Sequence, residues 1–367
     1  MRFRNRAFAL AAAMLAALLL DSASWAAKYA GEFLYVGAGG RALGMGSAFV
    51  AVADDASAAY WNPAGVCTRT GQSAQFMHSE RFGGLIRYDY LSYSRVSGTT
   101  GLGASLFRTD AGRIADTTDL EWYDTGSDGV FGVDGEGVPG DAGDDDYDPS
   151  TNPGGTEGNG VWDPGEELIY DEGRISYGGS VDWALYLTWS RQLTSDLSVG
   201  GSAKLIQRGL MDHSAYGVGL DLGVLWRPVP ALSCGLNLQD AFGTYLFWDT
   251  GSNEAVLPTA KAGLALHWPL RKFASDITLS LDGDFRFEGR EFSAQYHLGR
   301  MSLDTHMGLE ITVRNLVSLR VGSNEGSMTA GAGLALPLFG KRVSLDYAFL
   351  SHQDLDSTHR VSLGVDF

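Results

Sequence analysis

Cysteine is nearly absent: Cys67 and Cys234 are the two in 367 residues. That excludes a disulfide scaffold and a cysteine-rich zinc module. Basic residues are scarce too, with 27 Lys and Arg against 44 Asp and Glu, a formal charge of −17, and no basic block. Such a chain lacks the electrostatic footprint of a nucleic-acid binder, so no nucleic-acid partner is expected. Beyond residue 20 no apolar run approaches the ~18 residues that mark a membrane helix. Glycine goes the other way: 49 residues, about twice the usual share, without the three-residue period of collagen. At 44% hydrophobic and 11% aromatic the chain is too apolar to be disordered.

The start reads as a sorting signal. Arg2, Arg4 and Arg6 precede an apolar run from Phe8 to Leu20, and Ser24-Trp25-Ala26 ends in a small-residue cleavage pattern. Residues 1–26 are therefore expected to be a secretory signal peptide. The acidity is equally local. Between positions 110 and 172 there are nineteen Asp and Glu and one basic residue, Arg113. This Gly-, Asp- and Pro-rich stretch, taken as 109–175, reads as a long acidic surface loop.

Most of the remaining chain alternates with period two. Val361, Leu363, Val365 and Phe367 stand opposite Arg360, Ser362, Gly364 and Asp366. Val181, Trp183, Leu185, Leu187 and Trp189 stand opposite Asp182, Ala184, Tyr186 and Thr188. Fourteen such runs are expected as strands: 72–79, 87–97, 99–108, 181–192, 196–208, 215–227, 231–240, 258–268, 276–287, 303–313, 316–323, 327–337, 341–351 and 358–367. Their lengths suit tilted strands crossing a bilayer, and short turns alternate with longer loops. The second face carries Gly, Ser, Thr and charges, including Lys204, Asp221, Lys261, Asp282, Asp284, Arg286, His306, Glu310, Arg320 and Arg360. Toward lipid each charge would cost about 2–4 kcal/mol near the midplane; toward a lumen they can meet water or one another. The expected fold is all-β: a 14-stranded antiparallel transmembrane β-barrel over 72–367, in the bacterial outer membrane. Trp183, Trp189, Trp226 and Trp268 are placed as an interfacial girdle. Asp282, Asp284, Arg286, His306, Glu310 and Arg320 are expected to form a lumen charge network.

Residues 27–71 do not alternate. Gly37-Ala-Gly39-Gly-Arg-Ala42 matches a dinucleotide-binding string, but that motif needs a βα turn of a parallel sheet, which an exported antiparallel protein lacks. The glycines instead suit a compact plug, or hatch, inside a narrow barrel. A short helix near Asp54–Tyr60 is expected, ended by the Asn62-Pro63 turn.

The run GAGGRALGMGSAFVAVADDASAAYWNPAG, with Asn62-Pro63-Ala64 near its end, resembles the N-terminal signature of the FadL-like outer-membrane family, most closely its PorV/PorQ branch. The resemblance implies an N-terminal plug in a 14-stranded barrel. It implies passive transport of small hydrophobic compounds, or, for the PorV branch, a shuttle or scaffold role with type IX-like secretion machinery or surface proteins. The acidic insertion is not part of that family pattern. The first reading expects a ligand pocket between plug and wall, with Phe33, Tyr35, Met45 and Phe49 as candidate contacts and membrane lipid as the outer partner.

Two chemistries remain. Gly155–Glu166 resembles a 12-residue calcium loop, with Glu157, Asn159, the Val161 carbonyl, Asp163 and Glu166 as ligands and Gly160 at the sharp turn. Gly155 stands where an Asp is usual and Pro164 opposes a flanking helix; Asp144, Asp145, Asp146 and Asp148 are spare donors. For catalysis there is no G-x-S-x-G string and no local Ser–His–Asp pattern around the seven histidines, so no enzyme activity is expected.

Overall fold

The computed structural model describes residues 31–117, 124–126, 146–164, 166, 172–291, 293–351 and 357–367. The expected signal peptide, with Asp144 and Asp145, lies outside them. Seventeen strands follow in order: β1 (Gly71–Arg81), β2 (Ile86–Ser97), β3 (Thr100–Asp116), β4 (Ser176–Gln192), β5 (Leu197–Leu210), β6 (His213–Val229), β7 (Leu232–Gln239), β8 (Thr244–Trp248), β9 (Asn253–Val256), β10 (Thr259–Leu270), β11 (Ser275–Arg286), β12 (Tyr296–Leu298), β13 (Met301–Val313), β14 (Val317–Asn324), β15 (Ser327–Leu338), β16 (Lys341–Leu350) and β17 (Thr358–Asp366). Fourteen of them are the staves of a closed antiparallel barrel, and β1 closes it by pairing with β2 on one side and β17 on the other. Closure leaves no open edge among the fourteen staves, as a hydrocarbon environment requires.

β8, β9 and β12 are additions within stretches that read as plain loops, 241–257 and 288–302. Their cause is unequal stave length. β6 has 17 residues and its neighbour β7 has 8; β13 has 13 and β14 has 8. The overhanging backbone groups need partners. β8 supplies them to β6 (Tyr216↔Phe247), and β12 to β13 (Tyr296↔Leu303). Alternation marks a strand's faces, but it does not reveal which neighbour runs short.

The outward face is apolar and exposed: Leu187, Leu205, Val218, Leu264, Leu281, Met307, Leu319 and Leu363 are each between 44 and 63% exposed. Water would not tolerate such a band and lipid favours it. Trp189, Trp226 and Trp268 lie on this face near the short-turn end of β4, β6 and β10, a girdle at one interface. Trp183, expected in the girdle, instead stands mid-strand in β4, paired with Gln207. Lys341 caps the C-terminal Phe367 ring with its ammonium group 3.9 Å from the centroid.

Residues 31–70 lie inside the barrel. Two short helices, Gly40–Gly44 and Ala58–Trp61, and two 3-10 turns, Glu32–Leu34 and Pro63–Thr68, are joined by tight bends. The wall meets this segment with glycine. A Cβ on Gly200, Gly223, Gly235 or Gly308 would stand 2.2–2.5 Å from Pro63, Asn62, Val50 or Met45. Close approach thus explains much of the glycine excess. Gly46, at φ 64°, makes the tightest bend, and its own Cβ would strike the backbone of Met307 and Ser323.

Residues 113–179 form a separate compact unit. In its described part Glu157 bridges to Thr125 and Asp146, and Asp148 pairs with Asn152. Asp148 also caps a turn: the Ser150 hydroxyl, with the Ser150 and Thr151 N–H groups, holds its carboxyl down at about 2. Cys67, buried in the interior segment, and Cys234, on the lipid-facing side of β7, are both free.

Candidate functional site

The interior of the barrel is the candidate site, and the six expected network residues all face it. Asp282, Asp284, Arg286, His306, Glu310 and Arg320 are each at most 7% exposed. They sort into two groups. Toward the short-turn end, Arg320 donates to Glu310 (2.6 Å) and Asp346 (2.7 Å), while Arg41 of the interior segment reaches Glu310 (2.8 Å) and Asp54. Toward the other end, Lys261 pairs with Asp284 (2.6 Å) and Arg286 with Asp304 (2.6 Å), and His306 Nε2 lies 3.5 Å from Asp284. Asp282 joins wall to segment by accepting the Val50 N–H at 2.7 Å.

A third group was not singled out as a unit from the sequence. Lys204 Nζ lies 2.8 Å from Asp221 Oδ1 and also pairs with Asp240, all within a few per cent of full burial. Asp240 further accepts the Thr244 hydroxyl. Lys204 and Asp221 share the inward parity of β5 and β6, but Asp240 follows β7 in a bend, where strand parity no longer applies. Burial of such charges is tolerated because each is paired; removing one partner leaves the other stranded.

The Asn62-Pro63-Ala64 triplet is a docking point. Asn62 donates to the Val50 carbonyl and the Val224 carbonyl of β6, both at 3.0 Å, and accepts the Ala64 N–H at 3.1 Å. It thereby caps the turn that follows, with Pro63 at the first position, where its missing N–H costs nothing. Pro63 fits against Gly200 and Gly223.

The four candidate pocket residues are occupied in packing. Met45 and Phe49 are fully buried, and Phe49 meets Trp61 edge-on with centroids 6.2 Å apart. Phe33 lies under the Arg208 guanidinium at 4.7 Å. Tyr35 is ringed by cations: Arg286 sits 4.9 Å and Lys261 5.9 Å from its centroid. The apolar lining of the bore lies elsewhere. Tyr60 of the segment packs on Phe107 (5.2 Å), which also meets Tyr90 (4.7 Å), Tyr186 (5.0 Å) and Tyr88 (5.8 Å) of the wall. In the sequence these aromatics are hidden because they interrupt polar faces: Tyr186 stands in line with Asp182 and Thr188. That shared parity was the available signal.

Cavities of about 270, 360 and 240 Å³ open off the segment. The first two lie toward the short-turn end and share Asp54, Asp55 and Arg69; the third lies toward the other end, among Lys261, Asp284, Arg286 and Arg360. All three have charged linings, unlike the apolar pocket expected for a hydrophobic ligand.

Of the calcium candidates, Asp163 Oδ2 accepts Asn159 Nδ2 (2.7 Å), Asn159 Oδ1 accepts the Val161 N–H, and Glu166 Oε2 accepts the Asp163 N–H (2.7 Å). Glu157 and Glu166 are buried. Among the described residues no three His, Cys, Asp or Glu side chains gather as a metal group. One serine–histidine contact bears on catalysis. Ser233 Oγ lies 3.2 Å from His267 Nε2, and His267 Nδ1 lies 3.2 Å from the Thr278 hydroxyl. An orienting carboxylate is replaced there by a hydroxyl, and neither Ser233 nor His267 lines any of the three cavities.

The model of an uncharacterised protein family (UPF0164) matches residues 7–119. No curated protein matches the chain. Among solved structures, the Ralstonia pickettii toluene transporter TbuX is similar at 12% identity and TM-score 0.50, over 90% of this chain and 97% of that one. The monoaromatic hydrocarbon channel CymD is similar at 12% identity and TM-score 0.48, over 90% and 98%. A Pseudomonas aeruginosa FadL homologue is similar at 11% identity and TM-score 0.45, over 88% and 97%. At such identities the likeness is one of fold.

Proposed function

We infer that the chain, which has the fold of FadL-type outer-membrane barrels, works in the bacterial outer membrane. From that premise, we propose that it is a passive conduit for small hydrophobic compounds, with residues 31–67 as a movable plug. The observation that carries the reading is the aromatic contact between segment and wall. Tyr60 packs on Phe107 and Tyr186, and Phe107 in turn meets Tyr90, so displacing the segment uncovers an aromatic strip on an inner wall that carries many polar and charged residues. The solved barrel that shares the fold at TM-score 0.50 is described as a toluene transporter, which supports the same class of cargo. Beside the close glycine contacts, the segment is tied to the wall by ion pairs and hydrogen bonds, Arg41–Glu310, Val50–Asp282 and Asn62–Val224 among them, polar contacts that water can replace as they open. No catalytic step is part of this reading.

The test is initial uptake of labelled toluene by cells with a lipopolysaccharide outer membrane, with and without the protein. Expression is expected to raise the rate, and a protonophore to leave it unchanged. An unchanged rate with the folded barrel present in the outer membrane refutes the conduit. A stoichiometric secretion-machinery or surface-protein partner in the same membranes would instead favour the PorV-like scaffold role.

A further inference from the structure

Two arginines and a tyrosine inside the barrel stand without the partners that every neighbouring charge has. Arg360 of β17 and Tyr88 of β2 are the two cross-strand neighbours of Ser79 on β1, and Arg81 lies two residues further along β1 on the same inward face. Arg360 is 3% exposed and Tyr88 fully buried. Arg360 Nε, Arg81 Nε and the Tyr88 hydroxyl make no hydrogen bond; among the described residues no carboxylate lies within ion-pair distance of either arginine, and Glu32 and Glu325, which line the same cavity, attract Arg81 only from further off. The other cations of the same cavity are matched: Lys261 with Asp284, Arg286 with Asp304, and Arg290 with Glu288 at 2.9 Å. Arginine cannot shed its proton to escape this. Two adjacent guanidinium groups repel each other in a low-dielectric bore, and burial makes an unmatched charge costly. Their fork of N–H donors suits the spaced oxygens of a carboxylate or phosphate.

We propose that Arg81 and Arg360 form a binding site for a small oxyanion, a carboxylate or phosphate group. Arg81 and Arg360 line the cavity of about 240 Å³, which has room for such a group together with water. Tyr35, Tyr60 and Trp61 of the interior segment line the same cavity. A bound anion therefore touches wall and segment at once and couples occupancy to the segment's position. The site is independent of the conduit reading, because its test measures binding and not passage.

The experiment titrates the purified full chain in detergent with inorganic phosphate and, separately, with benzoate by calorimetry. Heat-modifiable gel migration verifies that each variant is folded. At least one probe is expected to bind saturably, and Arg81→Gln and Arg360→Gln each to weaken it tenfold or more. Arg95→Gln, on an exposed arginine, is expected to leave binding unchanged. Phosphate alone assigns the site to phosphate groups, and benzoate alone to carboxylates. With neither probe present, Arg360→Gln is expected to raise the melting temperature, since it removes an unmatched charge. Absence of saturable binding by either probe overturns the proposal. So does equal binding by wild type and both variants, or a lower melting temperature for Arg360→Gln without probe.

Discussion

Replacing Gly235 by alanine puts one methyl group where the barrel wall meets the interior segment. The new Cβ would lie 2.3 Å from the Val50 carbonyl oxygen, 2.6 Å from its carbon and 2.9 Å from Ala51 Cα. Ordinary contact begins near 3.4 Å, so something must move by about 1 Å, since buried atoms are already close-packed. The wall cannot give easily, because Gly235 is held between Leu225 of β6 and Gly263 of β10. The segment must yield, and at Val50 that strains the N–H bond to Asp282 and the carbonyl bond from Asn62. Overpacking costs about 1–3 kcal/mol and weakening a charge-assisted hydrogen bond about 1–2 kcal/mol, so a loss of about 3 kcal/mol is expected. Buried Cys67 reports the change in a Cys234→Ser background, by maleimide labelling of the folded barrel. If the segment leaves as one unit, about 3 kcal/mol corresponds to roughly a hundredfold faster labelling. Gly209→Ala is the control: its Cβ meets only the Val181 carbonyl, at 3.5 Å, and its effect is expected within about 0.5 kcal/mol. Equal labelling rates for the two variants would refute the claim that glycine-permitted contact seats the segment.

Arg320→Met removes the common partner of Glu310 and Asp346; a loss of about 3 kcal/mol in urea unfolding is expected, and a loss below 1 kcal/mol would count against a structural network. In the turn after β4, the Thr194 hydroxyl and the Trp226 indole hold the exposed Asp196 carboxyl below the usual aspartate range. A depressed carboxylate stabilises above its unfolded pKa and is lost as pH falls through the folded one. Trp226 emission is therefore expected to change only below the ordinary aspartate range, and Asp196→Asn to abolish that change; an unchanged titration in the variant would refute the assignment. For the unit at 113–179 we propose that calcium relieves carboxylate repulsion. Millimolar calcium is expected to slow proteolysis there, and equal cleavage rates with calcium and with chelator would refute it.

Much of this barrel was legible in its residues. A strand's two faces alternate by geometry, so a lipid-facing side reads out as every second apolar residue, and all fourteen expected runs are staves, although β3 continues to Asp116, eight residues into the stretch expected as acidic loop. The inward parity of Asp282, Asp284, Arg286, His306, Glu310 and Arg320 follows from the same rule. The Asn-Pro turn is local chemistry, a cap with proline following, and it too was visible in advance. Three things were not. The added strands depend on how far each neighbour runs. The apolar strip of Tyr88, Tyr90, Phe107 and Tyr186 depends on a segment remote in sequence that covers it. The pairing state of each lumen charge depends on register between staves: Arg81 and Arg360 are 279 positions apart, yet only two residues separate their rows on adjacent strands. Periodicity is a property of one strand and survives in the sequence. Whether a buried charge meets its opposite or its like is a property of closure, where side chains from distant strands are brought within a few ångströms and water is excluded, so only the folded barrel assigns it.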